Sequence, residues 1–217
     1  MTVDTTTVTS CYQLLAELLL YPEERHEDRV RQLGLEVEAA PDPVRKPLLE
    51  LLANPGIHDC GAYLEELEMS GDRPLYLGFY LFDEPESCSS AGTCGRNGYM
   101  IELSGIYRHY GLELDGREMP DFLPLVLDFL ALSADRREGD EGALRTELIA
   151  HYLQPAVTAM QERFSENGGP WLLAVDAVVA LLHSELEEPG AVRPAAGKPH
   201  GGNGTQRSFT ESPKELS

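Results

Sequence analysis

Cys88 and Cys94 are the residues whose type and spacing come closest to a chemical site. They lie six positions apart in a serine- and glycine-rich stretch, so their thiolates could reach one metal ion. A structural zinc ion needs four ligands, commonly with a two-residue gap inside each cysteine pair. That gap is missing here, and only Cys60, Cys11 or His58 from other segments could complete the ligand shell. Incidental or oxidation-prone reduced thiols are the simpler interpretation.

The other reactive residue types form no catalytic pattern. The sequence has no glycine-rich phosphate-binding loop, no nucleophile elbow and no histidine pair at helical metal-binding spacing. The histidines of the predicted elements are scattered: His26, His58, His109, His151 and His183. Because an enzyme needs a nucleophile with its base, or a metal or phosphate site, we expect a protein that is not an enzyme and has no cofactor of its own.

The charge of the chain is strongly acidic. Lys and Arg total 17 against 37 Asp and Glu, which gives a formal net charge of −20. Such a field repels phosphate backbones and anionic lipid, and it attracts a basic peptide. Solubility alone could also explain the excess of acid. The composition therefore argues against nucleic acid and membrane surfaces as partners.

The chain shows no predicted targeting or membrane-spanning segment. Residues 1–10 are rich in threonine and lack the basic start of a signal peptide. The longest apolar run, 171–182, is interrupted by Asp176 and is shorter than the about 20 residues that span a bilayer. It predicts a buried helix. We expect a cytoplasmic protein with reduced cysteines.

Helical periodicity dominates the sequence, and β-branched residues are sparse. Thr9 or Ser10 is the predicted cap of the first helix, and Tyr21-Pro22 its end. The run 75–82 suits a buried strand or a helix face, and we assign it to a helix because no partner strand is visible. Residues 83–98 are predicted to form a loop. The predicted helices cover about 10–21, 24–39, 43–52, 61–69, 75–82, 99–110, 120–132, 144–160 and 170–187.

These elements predict an all-α, single-domain helical bundle. The segments before and after it are not expected to fold. The domain covers 10–188, after a flexible N-terminus at 1–9. From Pro189 onward, 29 residues contain four prolines, five glycines and almost no large apolar side chain, which predicts a disordered tail. The tail has four basic and two acidic residues, so residues 1–188 carry a formal net charge of −22.

The segment from Ile106 to Leu132 contains the most informative motif. An aromatic-rich helix ends in a glycine and is followed by Glu-x-Pro-Asp-x-Leu-Pro and an apolar helix. This pattern closely resembles the signature of the delta-subunit, or NarJ-type, nitrate reductase assembly chaperones, within the wider TorD/DmsD group. The opening Leu-Leu-Ala-Glu-Leu-Leu-Leu-Tyr-Pro, residues 14–22, also resembles the first helix of that family. The stretch 83–95 departs from the family, which usually has a histidine there.

The resemblance implies a chaperone that binds the basic N-terminal peptide of a molybdoenzyme catalytic subunit until the molybdenum cofactor has been inserted. Molybdenum cofactor biosynthesis proteins are further partners that it implies. The functional residues it indicates are Tyr107, Gly111, Glu118, Pro120, Asp121 and Leu123. Glu118 and Asp121 are the best candidates for direct contact, because acids beside an apolar helix start need a cationic or donor partner. The other four could equally be structural: core side chains, a helix starter and a cap.

Two other functions remain open at this point. A permanent structural subunit of a reductase complex would keep a fixed stoichiometry with the mature enzyme, whereas a chaperone leaves. An enzyme that handles a cofactor or metal through the loop 83–98 would need an acid–base or phosphate-binding pattern that the sequence lacks.

Overall fold

A computed structural model describes residues 4–82 and 95–187 of the chain. These residues form helices joined by short turns, so the predicted all-α fold is confirmed. The helices are α1 (Thr5–Leu18), α2 (Glu27–Glu36), α3 (Asp42–Ala53), α4 (Cys60–Tyr63), α5 (Gly78–Leu81), α6 (Gly95–His109), α7 (Leu123–Leu132), α8 (Gly139–Glu147), α9 (Gln154–Ser165) and α10 (Pro170–Glu187). The predicted tail at 189–217 and the loop residues 83–94, with Cys88 and Cys94, lie outside the described residues.

The described helices pack around one hydrophobic core. α1 lies against α2 and α7, and α10 lies against α1, α3 and α9. Leu14 and Leu15 of α1 and Trp171 and Val178 of α10 are almost completely buried. The ring of Trp171 meets Tyr63 edge to face, with 5.5 Å between centroids. The apolar run 171–182 is therefore a buried helix, as its length predicts.

The first helix begins earlier than predicted. α1 starts at Thr5, so residues 5–9, expected to belong to a flexible N-terminus, are helical. The hydroxyl groups of Thr9 and Ser10 donate to the carbonyls of Thr5 and Thr6 at 2.9 and 3.0 Å. A hydroxyl that bonds to the carbonyl four residues earlier sits inside a helix rather than capping one. The predicted cap was wrong for this reason.

The run 75–82 is helical only in its second half, Gly78–Leu81. Tyr76 forms an isolated antiparallel bridge with Phe122. The prediction of a helix over 75–77 was therefore wrong. The strand-like pairing involves only one residue on each side, and a pairing this short leaves no alternating apolar pattern in the sequence.

Both helices around the family motif begin at positions other than those predicted. α6 starts at Gly95, so the predicted loop 83–98 ends before that residue. α7 starts at Leu123 rather than at Pro120, and Pro124 occupies its first turn. Proline is tolerated there because the first helical N–H groups have no partner within the helix.

The predicted helix 144–160 is two helices joined by a π-helical segment. α8 begins at Gly139 and continues into the π-helical residues Leu148–Leu153, after which α9 begins. Pro155 lies in the first turn of α9 and has no N–H to donate to a carbonyl of the preceding turn. The wider π-helical turn occurs where that donor is missing, and such turns are frequent at functional sites.

Candidate functional site

The chain between α6 and α7, residues 110–122, is called the signature turn here, because it carries most of the motif. Gly111 ends α6 with a φ of +78°, which a residue with a side chain rarely adopts. The predicted role of Gly111 as a helix stop is therefore confirmed. Tyr107 is buried, and its hydroxyl donates to the carbonyl of Pro120 at 2.7 Å. This bond ties the end of the signature turn to the helix that precedes it.

The far end of the signature turn pairs with the segment before α5. The N–H of Leu77 donates to the carbonyl of Asp121 at 2.9 Å, and the N–H of Leu123 donates to the carbonyl of Leu75 at 2.7 Å. The rings of Tyr76 and Phe122 lie 5.2 Å apart between these two bonds. The backbone of Phe122 is thus held extended, with φ −67° and ψ 119°, which is why α7 begins at Leu123 and not at Pro120.

The Asp121 carboxylate is completely buried beneath this pairing. Its Oδ2 accepts a bond from the N–H of Gly78 at 2.9 Å and lies 3.5 Å from Nη2 of Arg96. A Cβ atom at Gly78 would lie only 2.7 Å from the same oxygen, so the position requires glycine. Asp121 thus joins α5, α6 and the signature turn at one point.

Glu118 is exposed to solvent and accepts a bond from the hydroxyl of Tyr76 at 2.9 Å. Desolvation, together with this bond, raises the pKa of Tyr76 to about 12. Met119 beside it exposes 53% of its surface. This side of the signature turn therefore offers a carboxylate, a thioether and an aromatic pair to a partner.

The six predicted site residues thus divide into two groups. Glu118 alone among them presents a charged side chain to solvent, whereas Tyr107, Asp121 and Leu123 are buried. Direct contact of Asp121 with a partner stays a prediction, and in this structure its carboxylate has no exposed surface and bonds within the protein. Pro120 and Gly111 shape the backbone.

A groove of about 380 Å³ lies beside the signature turn, between α6 and the end of α8; it is called the α6–α8 groove. Ile106, Leu144 and Leu148 form its apolar floor. Glu102 and Glu147 are exposed on the two walls, and His109 lies at one end. Gly105 also lines the groove, and a side chain added there would meet open space.

Tyr152, from the π-helical segment, completes this groove. Its pKa is raised by burial and by a hydrogen bond to Glu102, so the phenol stays neutral. The ring stacks on Tyr99 with 6.0 Å between centroids. The groove therefore combines an apolar floor with two acidic side chains.

A second groove, of about 480 Å³, lies between α5 and α9 and is called the α5–α9 groove. Phe79, Tyr80 and Phe82 give it an aromatic wall. Arg163 lies between Glu162 and Glu166 on the opposite wall, so its charges partly offset one another. It is less suited to a basic ligand than the α6–α8 groove.

Among the residues that the structure describes, no three His, Cys, Asp or Glu side chains lie close enough together to hold a metal ion. Cys11 is buried, and burial raises the pKa of its thiol from 9.0 to about 12. In the same part of the chain, no helix has the length and apolar character needed to cross a membrane.

Sequence reasoning missed the residues of the α6–α8 groove. Glu102, Gly105 and His109 recur along α6 at helical spacing, so their common face could have been recognised. Their partners Glu147 and Tyr152 lie about 40 residues further along the chain. Periodicity predicts which residues share a face, but not which helix that face meets.

The amino-acid sequence of the chain is similar to those of several known proteins. Residues 70–175 match the family described as nitrate reductase delta subunit. The chain is 31% identical over 94 residues to the probable nitrate reductase molybdenum cofactor assembly chaperone NarW of Escherichia coli K12, which is 43% of this chain and 37% of that protein. It is 25% identical over 168 residues to the nitrate reductase-like protein NarX of Mycobacterium tuberculosis, strains CDC 1551 and H37Rv, covering 77% of this chain and 23% of each relative. The chain thus spans well under half of the length of these relatives.

Proposed function

We propose that the chain, which matches the family described as nitrate reductase delta subunit over residues 70–175, is a chaperone for the assembly of a molybdenum-containing nitrate reductase. It binds the catalytic subunit before the molybdenum cofactor is inserted and leaves afterwards. It acts in the cytoplasm, before the client is attached to a membrane or exported, and it catalyses no reaction. Molybdenum cofactor biosynthesis proteins are further proposed partners.

The ligand that we propose is the basic N-terminal peptide of the catalytic subunit, bound as an amphipathic helix. The observation that carries this proposal is the α6–α8 groove, with an apolar floor between Glu102 and Glu147. Helical peptides bind such grooves through apolar anchors spaced at i, i+3 or i+4, and basic side chains beside the anchors would meet the two carboxylates. Binding of this kind needs no catalytic residue.

The acidic exterior supports the same ligand. Residues 1–188 carry a formal net charge of −22, which attracts a basic peptide over several ångströms before contact. Electrostatic attraction of this kind raises the association rate more than the final affinity. Binding should therefore weaken as salt is added.

The signature turn has two roles in this proposal. Tyr107, Gly111, Pro120, Asp121 and Leu123 hold the turn in shape through the contacts described above. Glu118, with Met119 and Tyr76, contacts the client where it extends beyond the groove. The family motif is then largely a structural requirement, with a single charged contact at its surface.

Titration of the full chain with a fluorescently labelled peptide tests the proposal. The probe is a synthetic peptide of the first 20 residues of a nitrate reductase catalytic subunit, and its control has every Lys and Arg replaced by Gln. We expect the native peptide to bind at least ~10-fold more tightly at low salt, a difference of about 1.4 kcal/mol. Equal affinity of the two peptides would count against the α6–α8 groove as their site.

Co-purification separates the chaperone from a permanent subunit. A chaperone is recovered with the cofactor-free catalytic subunit and not with the mature reductase. Recovery with the mature enzyme at fixed stoichiometry would favour the structural subunit instead.

A further inference from the structure

The segment of this chain that follows α10 is positively charged, whereas the α6–α8 groove is lined by two acidic residues. Between positions 189 and 210 the sequence contains Arg193, Lys198 and Arg207 and no Asp or Glu. The same stretch includes two apolar side chains larger than alanine, Val192 and Phe209, each within two residues of an arginine. Basic residues beside apolar anchors are the features that the groove is suited to bind.

This segment also starts close to the groove. Glu185, near the end of α10, forms a bidentate pair with Arg145 of α8 at 2.7 and 3.0 Å. Arg145 directly follows Leu144, which is part of the groove floor. Because an extended residue spans roughly 3.3 Å, the six residue-to-residue steps from Glu187 to Arg193 reach about 20 Å, more than the roughly 10–12 Å diameter of a helix.

The charges favour this groove over its neighbour. Glu102 and Glu147 face the α6–α8 groove with only His109 as a basic group at its rim. The α5–α9 groove already contains Arg163 between its two glutamates. A basic segment therefore gains more attraction in the α6–α8 groove.

We propose that residues 189–210 occupy the α6–α8 groove of their own molecule, with Val192 or Phe209 on the apolar floor and the basic side chains beside Glu102 and Glu147. A tethered segment has an effective concentration on the order of 1 mM, so even a contact with an intrinsic Kd of about 0.1 mM is occupied in roughly nine molecules of ten. A client peptide must displace the segment, which sets a threshold for client binding. That last step rests on the proposed function, whereas occupancy of the groove does not.

Carbodiimide coupling on the full chain tests the occupancy directly. The reagent joins a lysine amine to a carboxylate, and the chain has only three lysines, Lys46, Lys198 and Lys214. We expect Lys198 in the monomer to couple mainly to Glu102 and Glu147. The yield should fall ~5-fold in 1 M salt, where the screening length is about 3 Å. Arg193→Gln with Arg207→Gln should lower it without altering the coupling of Lys46.

Two pairs of variants separate specific from general attraction. Glu102→Gln with Glu147→Gln should remove most of the Lys198 coupling, whereas Glu162→Gln with Glu166→Gln should leave it unchanged. Coupling of Lys198 to acids across the whole surface, to Glu162 and Glu166, or only between two molecules would overturn the proposal.

The client titration then separates this inference from the proposed function. With the segment neutralised by Arg193→Gln, Lys198→Gln and Arg207→Gln, the client peptide should bind ~10-fold more tightly, as expected when a tethered competitor at about ten times its Kd is removed. An unchanged affinity would overturn the competition. If no client peptide binds while Lys198 still couples to Glu102 and Glu147, the proposed function fails and the occupancy stands.

Discussion

Arg145 and Glu185 form a buried, bidentate ion pair that joins α8 to α10, with Nε–Oε2 and Nη2–Oε1 distances of 3.0 and 2.7 Å. Only 2% and 6% of the two side chains is exposed. Tyr12 of α1 donates to the same carboxylate, and Arg145 also bonds to the carbonyl of Leu130 and the hydroxyl of Ser133 after α7. One pair thus connects the four helices α1, α7, α8 and α10.

Removing one member of this pair should destabilise the fold strongly. Glu185→Leu leaves the Arg145 charge buried without its partner, which costs about 3–5 kcal/mol. Replacing both residues by leucine should recover part of that loss, because no unpaired charge remains. Urea unfolding measures both effects, and Glu187→Leu at the exposed end of α10 provides the control. A loss of the same size in the control would show that the pair contributes little.

Gly78 should tolerate no side chain. A methyl group there would lie 2.7 Å from Asp121 Oδ2, and such overpacking costs typically about 1–3 kcal/mol. Gly98 of α6 has open space at the same position, so Gly98→Ala should stabilise by about 0.5–1 kcal/mol through lower chain entropy. The free energy of unfolding of the two alanine variants checks the prediction. Equal changes in both would mean that the Asp121 contact is not rigid.

The sequence predicts those features that depend on local pattern. α10 begins and ends where it was predicted, because Pro170 starts a helix that contains no further proline and no glycine as far as Glu187. The role of Asp121 could not be predicted, since the groups that bond to it, Gly78 and Arg96, lie 43 and 25 residues away in the chain. The groove is equally non-local, as it depends on Glu102 and Glu147 meeting from separate helices. Glu118 could be recognised because the motif itself contains it.

Stability should fall at alkaline pH in part because of Cys11. Burial raises the pKa of its thiol from 9.0 to about 12 in the folded protein, so the fold favours the neutral form. This contribution is complete below pH 9 and is lost as the pH rises towards 12. Between pH 7 and pH 10 the loss is about 1.4 kcal/mol. Cys11→Ala should lack this part of the pH dependence while retaining that of the tyrosines. Parallel pH profiles of the two proteins would contradict the prediction.

Glu118 should matter for the client and not for the fold. Its carboxylate is exposed, so Glu118→Lys should change the unfolding free energy by less than about 1 kcal/mol. The reversed charge should weaken binding of the basic client peptide ~3- to 10-fold through lost attraction. Glu113→Lys, another exposed acid of the signature turn, controls for net charge. If both variants weaken binding equally, the effect is one of overall charge and Glu118 makes no contact.

Filling the α6–α8 groove should abolish client binding while leaving the fold intact. Gly105 lines the groove and a Cβ atom there would meet open space, so we expect the indole of Gly105→Trp to occupy the volume above Ile106 and Leu148. Tryptophan is also a better helix former than glycine, so α6 should not be weakened. Gly98→Trp adds the same side chain to the same helix outside the groove. We expect the client peptide to bind at least ~10-fold more weakly to Gly105→Trp, a change of about 1.4 kcal/mol, and within ~2-fold of normal to Gly98→Trp. Equal affinities for the two variants, with circular dichroism unchanged, would place the client elsewhere on the surface, and the α5–α9 groove would then be the next site to fill.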